Sequence, residues 1–218
     1  MEYKKSNISE QEGKNLREEY INIFKELVIP AYNGADKLLY WIENSDFFVC
    51  PASTNYHLAC YYGLVKHSLN VYKRLLKLVD DEYGDKFEEI LGVDKSDLAL
   101  IALCHDLCKA NSYSEEVRNV KDSSGNWIKE PYFKYDAQFE MGGHGQKSLF
   151  IVQQFIQGLS LNVCSAIVYH MGASGSPNSP LKDDVALKTM EVFPIVLFVN
   201  TADMYATYLD EGRELKES

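Results

Sequence analysis

The chain has 218 residues, 46% of them hydrophobic and 25% charged, with a formal net charge of −10. This length suffices for one self-sufficient core, and the acidic balance excludes a surface that holds duplex nucleic acid stably, because such binding rests on Lys and Arg neutralising phosphates. No apolar run reaches transmembrane length and no secretory pattern follows Met1, so a cytoplasmic protein without membrane contact is expected. The five cysteines are odd in number and form no Cys-x-x-Cys pair, which fits reduced thiols packed as small core residues.

Two helices are predicted to open the fold, one over about 14–28, closed by Pro30, and one over about 34–43 with Leu38, Leu39, Trp41 and Ile42 on its buried side. They form an N-terminal helical extension, 1–45, packed on a domain spanning 46–212. Phe47 to Pro51 reads as a loop or short extended piece, after which Ser53 or Thr54 caps the way into a long helix that carries His67 and ends near Leu78. A turn over 80–85 precedes a short helix near 86–91. Asp94 then caps a buried helix from about Lys95 to Lys109, with His105 and Asp106 in its last turn. Residues 117–135 change character: two short extended runs flank a polar turn containing Gly125, which predicts a β-hairpin inserted between helices. Gly142-Gly143-His144 starts a helix through about Gln157, and Leu161 to His170 forms the next, ending at Gly172 in a Gly/Ser/Pro-rich loop. A final helix starts near Phe193-Pro194, runs to about Asp210 and carries Asp203. The expected fold class is all-α, a helical bundle with a small hairpin insertion around 117–135.

Leu98-Ala-Leu-Ile-Ala-Leu-Cys-His105-Asp106-Leu-Cys-Lys109 is the most informative stretch, because an otherwise apolar helix ends in two adjacent metal-grade ligands. Burying an unpartnered polar group costs about 2–7 kcal/mol, and a bare charge far more, so this pair calls for a partner such as a cation. Of the five histidines, His67, His105, His144 and His170 fall near helix termini or within apolar-rich helices. A single helical histidine is more often a hydrogen-bonded core residue. The joint order His, His-Asp, His, His, Asp, ending at Asp203, is much less easily accidental.

That order, in the contexts Gly63-Leu-Val-Lys-His67, His105-Asp106-Leu-Cys-Lys109, Gly142-Gly-His144-Gly, Tyr169-His170-Met-Gly and Ala202-Asp203, resembles the HD superfamily of metal-dependent phosphohydrolases. The pattern from Trp41 to Tyr72 is similar to uncharacterised stand-alone HD proteins of bacteria and their phages. The resemblance implies an HD-domain helical bundle with a first metal on His67, His105, Asp106 and Asp203. In binuclear members, positions matching His144 and His170 hold a second ion bridged by the Asp106 equivalent, so two divalent ions are expected. Imidazoles and carboxylates without thiolates suit Fe, Mn, Zn, Co or Mg.

The chemistry expected is cleavage of a phosphomonoester or phosphodiester bond, in a nucleotide or small cyclic or linear nucleotide, by metal-activated hydroxide. Asp106 bridges, Asp203 accepts the water proton, and Lys109 of the His-Asp-x-x-Lys pattern meets the substrate phosphate. His57 matches a position that approaches phosphate in some members, although it falls about three turns before His67. Arg118, Lys121 and Lys129 give the hairpin a cationic side and Trp127, Tyr132, Phe133 and Tyr135 give it aromatic faces, so Arg118 and Lys121 join the substrate contacts. Tyr62, Lys66 and Cys108 depart from the commoner family pattern, which bears on the pocket's shape more than on its metal. The alternative is a non-catalytic nucleotide-binding or interaction module on the same fold; a homodimer accords with the resemblance.

Overall fold

A computed structural model describes residues 7–122, 124–139, 141–172 and 183–211. Helix α1 (Glu10–Ile23) starts ahead of the expected position, where Ser9 Oγ accepts from the Glu12 amide, and continues through a π-helical turn (Phe24–Val28) into the single turn α2 (Ile29–Ala31). Tyr20, Phe24 and Val28, spaced by four, form its buried stripe, and Tyr20 Oη donates to the Leu103 carbonyl at 3.0 Å. Helix α3 (Ala35–Asn44) buries Leu38, Leu39 and Ile42 as expected, with Trp41 half-buried.

The long helix α4 (Gly63–Tyr83) does not begin after Ser53. Ser53 Oγ instead accepts from the Tyr56 amide and donates to the His57 carbonyl, a local turn that competes with helix. Residues 51–62 are consequently a run of turns, and Tyr62 enters α4 from a left-handed conformation with φ of 63°. Gly63 is demanded by close approach, since a Cβ there would lie 2.2 Å from the Leu58 carbonyl oxygen.

After a 3-10 turn and the short α5 (Phe87–Leu91), Asp94 caps α6 (Lys95–Cys104) through a capping box. Its carboxylate accepts from the Asp97 amide at 2.9 Å, while the Asp97 carboxylate accepts from the Asp94 amide at 2.9 Å. Every residue from Leu98 to Cys104 is buried, so beyond its first turn α6 is a core helix without a solvent face. Each fully buried Leu or Ile contributes about 1.5–3 kcal/mol. Leu98, Leu100, Ile101 and Leu103 together thus offset part of the several kcal/mol per ion that desolvating charge at the helix end costs. The helix stops at Cys104 rather than at Lys109: His105 is its C-cap, Asp106 leaves helical geometry, and Leu107–Lys109 forms a 3-10 turn.

The hairpin comprises β1 (Tyr113–Lys121) and β2 (Trp127–Tyr135), antiparallel, with Tyr113 opposite Tyr135 and Lys121 opposite Trp127. It begins before the expected residue 117. Tyr61, from the turns ahead of α4, meets Phe133 edge-on at 5.2 Å and donates to Glu115, so the base of the hairpin is docked on that segment.

Helices α7 (His144–Gln153) and α8 (Leu161–Val168) are shorter than expected, and α9 (Asp183–Val192) was hidden from periodicity by the exposed Val185, Leu187 and Val192. The Gly/Ser/Pro-rich loop expected after Gly172 lies, over 173–182, outside the described residues. Helix α10 (Ile195–Tyr205) continues into a π-helical turn, Ala206–Asp210. Central α4 packs against both α6 and α10, and one continuous core joins Tyr20 and Leu38 of the N-terminal helices to Leu100, Ile167 and Val199. The architecture is thus all-α apart from the single hairpin. Among the described residues no single helix is long and apolar enough to cross a membrane.

Candidate metal centre

The site forms where three helices bring ring nitrogens to one point. His105 and His170 each follow the end of a helix, where backbone carbonyls lack intrahelical donors. Each ring uses such a carbonyl: His105 Nδ1 donates to Ala102 O at 2.8 Å, and His170 Nδ1 to Ile167 O at 2.8 Å. Their Nε2 atoms are thereby left to face inward. His67 lies inside α4, where carbonyls are already paired, and its Nδ1 donates instead to the Glu211 carboxylate at 3.0 Å. Asn70 Nδ2 steadies that carboxylate at 2.8 Å. Glu211 was not anticipated from the sequence; it carries no motif, and its only local signal is a carboxylate just past the last helix.

The inward nitrogens surround two carboxylates. His67 Nε2 lies 3.2 Å from Asp203 Oδ1, 3.7 Å from Asp106 Oδ2 and 3.3 Å from His105 Nε2. His105 Nε2 is 3.4 Å from Asp106 Oδ2, so all four residues of the expected first set converge. The other oxygen, Asp106 Oδ1, faces His170 Nε2 at 3.5 Å, and both of these atoms are buried without a hydrogen-bond partner among the described residues. Two donor groups, His67/His105/Asp203 and His105/Asp106/His170, each hold their ligand atoms within 4.8 Å of one another. Nitrogen and carboxylate donors gathered this way, two of them lacking any other partner, fit a divalent cation.

Lys109 reaches Asp106 Oδ2 at 2.6 Å through the 3-10 turn, not along the face of a continuing helix. Burial opposes the charge on both groups. The ion pair overrides it, raising Lys109 and, together with His105, holding Asp106 well below the usual carboxylate range. Burial likewise lowers His67, yet Glu211 and Asp203 more than compensate and raise it to about 10. Asp203, opposed by burial, is held low chiefly by His67.

His57 stands closer to the site than its place in the sequence suggests. Since residues 51–62 are turns, its ring comes to 4.9 Å from His67 and its Nε2 to 3.9 Å from Glu211, forming a third donor group with both. Burial, then the positive charge of His67 and Lys109, lower His57 to about 4, so it is neutral at pH 7. Its buried Nε2 has no hydrogen-bond partner among the described residues.

The remaining expected residues are in none of the three donor groups. His144, first residue of α7, has its Nδ1 3.4 Å from Cys108 Sγ. Cys108 is fully buried and burial pushes its thiol up to about 12, the character of a packed thiol rather than a reactive one. Arg118 pairs across the hairpin with Glu130 at 3.2 Å and lies over the Tyr132 ring, while Lys121 lies 5.2 Å over Trp127.

Searches of curated proteins and of solved structures return no match. The HD domain family model matches residues 64–208, a span that takes in His67, His105, Asp106, His144, His170 and Asp203 but neither His57 nor Glu211. That match covers well over half of the sequence and includes His67, His105, His170 and Asp203, which the bundle gathers around Asp106; the chain belongs to the HD-domain family.

Proposed function

We propose that the protein is a metal-dependent phosphohydrolase that cleaves a phosphomonoester or phosphodiester bond in a nucleotide or small cyclic or linear nucleotide. HD domains are generally metal-dependent hydrolases. The observation that carries the reading is Asp106, whose two oxygens address different imidazoles, Oδ2 those of His67 and His105 and Oδ1 that of His170, beside the Lys109 ammonium. His67, His105, Asp106 and Asp203 would hold one divalent ion. Asp106 and His170 would begin the site of a second, with His144 its outlying member. A cation held there supplies Lewis-acid stabilisation of phosphoryl charge and acidifies water.

The chain's own groups do the rest. Lys109 spends one N–H on Asp106 and offers the others to a phosphoryl oxygen, which orients the ester against the histidine cluster. Asp203, 13% exposed and ionised across the neutral range, accepts the proton of the attacking water. Neutral His57 gives an uncharged hydrogen bond to the same phosphate, and Arg118 and Lys121 on the exposed hairpin lend outer positive charge to a small phosphorylated substrate.

Metal analysis of the purified protein, followed by a screen of nucleotides, cyclic nucleotides and short oligonucleotides with Mn²⁺, tests the reading. Chelator-sensitive turnover is expected. Absence of hydrolysis of every phosphate ester by metal-loaded protein would overturn it. Lys109→Ala is expected to lower turnover while leaving bound metal in place; unchanged kinetics would remove Lys109 from the mechanism.

A further inference from the structure

Away from the histidine cluster, α7 carries a second unusual polar group. Lys147 is only 3% exposed, yet no carboxylate pairs with it among the described residues. One of its three N–H donors goes to Ser112 Oγ at 3.2 Å, and the ammonium lies 4.7 Å from the centre of the Phe139 ring. A hydroxyl and a ring face are weak compensation for a desolvated charge. Lys147 also lines a cavity of about 270 Å³. Trp41, Phe150 and Phe155 supply aromatic walls, and Asn111 and Gln154 supply polar edges. Phe139 and Phe150 are exposed, although rings of that size are usually packed.

We propose that this cavity binds a small aromatic anion, a single ring system bearing one carboxylate or phosphate, with the Lys147 ammonium as its counter-charge. The volume lies just below that of drug-sized sites and suits one substituted ring. Trp41 and Phe155 pack on each other, with ring centroids 6.2 Å apart at an angle of 44°, and together with Phe150 they make one wall of the cavity aromatic. The buried ammonium selects charge. None of the metal-centre residues lines the cavity, so binding here is independent of the phosphohydrolase reading.

The chain has two tryptophans, so Trp127→Phe leaves Trp41 as the sole fluorophore and makes its emission report on the cavity. Benzoate and phenylphosphonate represent the carboxylate and phosphate arms, with benzamide and phenol as neutral counterparts. The expected result is a saturable emission change with at least one anion, roughly tenfold weaker with its neutral counterpart and insensitive to chelator. Lys147→Met keeps the buried stem without charge, and Gln154→Glu places a repelling carboxylate on an exposed position that leaves the core untouched. Both should weaken anion binding by roughly tenfold or more. Absence of saturable binding by either anion, equal binding of the neutral counterparts, unaltered affinity in folded Lys147→Met and in Gln154→Glu, or loss of binding on chelation would each overturn the proposal.

Discussion

At the scale of single residues, the centre depends on which ring nitrogen each histidine turns inward. His105 and His170 settle this with carbonyls at the ends of their own helices, whereas His67, mid-helix, relies on Glu211. A carboxylate behind a ligating imidazole fixes its orientation and raises its basicity, and removing it typically weakens metal binding about 10–100-fold. Glu211→Ala is therefore expected to weaken Mn²⁺ or Zn²⁺ affinity on that scale by isothermal titration calorimetry. Glu211→Gln, which keeps an acceptor oxygen but loses the charge, should fall between the variant and the native protein. Native-like affinity in Glu211→Ala would remove it from the centre. His105 and Asp106 were legible because adjacent ligands on a wholly apolar helix have no cheap alternative to a partner. Glu211 was not, because nothing in its own neighbourhood distinguishes it from a surface glutamate.

At the scale of elements, caps and close approaches place the ligands. Asp94 fixes where α6 starts, and replacing such a cap by Ala costs about 0.5–2 kcal/mol. Burial raises the Asp94 carboxyl, but hydrogen bonds from Ser96 and from the Asp97 amide win and hold it below its ordinary value of 3.8. A depressed acid stabilises the fold above its unfolded pKa and loses that contribution as pH falls through the folded one. The stability gap between native protein and Asp94→Ala in urea should thus be full at neutral pH and shrink as the solution is acidified below that ordinary value. A gap that grows on acidification would contradict the cap. Gly145 sets the α7–α8 contact: a Cβ there would meet Val168 O at 2.1 Å, an atom of backbone that cannot swing aside. Gly145→Ala is expected to cost about 1–3 kcal/mol, read as a lowered Tm; an unchanged Tm would show the helices free to separate.

Helix α6 could be read from the sequence because its cap and its apolar run agree. The start of α4 could not, because Ser53 looks like an N-cap but spends its hydroxyl on a turn that contains His57. That misplacement is what set His57 three turns from His67 instead of beside it.

Across the whole molecule, the centre joins α10 and the turn that follows it to α4. Arg74 and Asn70 of α4 hold Asp210 and Glu211, and Asp203 of α10 meets His67. A cation bound by these segments should stabilise the complete fold. At about 100 times its dissociation constant a ligand adds about 2.7 kcal/mol. For a chain of this length that corresponds to a rise in Tm of roughly 5–11 °C. Scanning calorimetry with and without Mn²⁺ is expected to show that rise and its reversal by chelator. No change in Tm would mean that these donors do not hold the ion.

The sequence by itself determined the helical class and the hairpin, and singled out His67, His105, Asp106, His170 and Asp203 among the residues that converge, because periodicity, capping and the ordered motif are legible along the chain. Tertiary structure decided the rest. Glu211 lies 144 positions from the histidine it orients, His57 arrives on a run of turns, and Lys147 meets Ser112 and Phe139 at a cavity between segments. Each of these depends on how separate elements pack, and no pattern within one element encodes the distance between two.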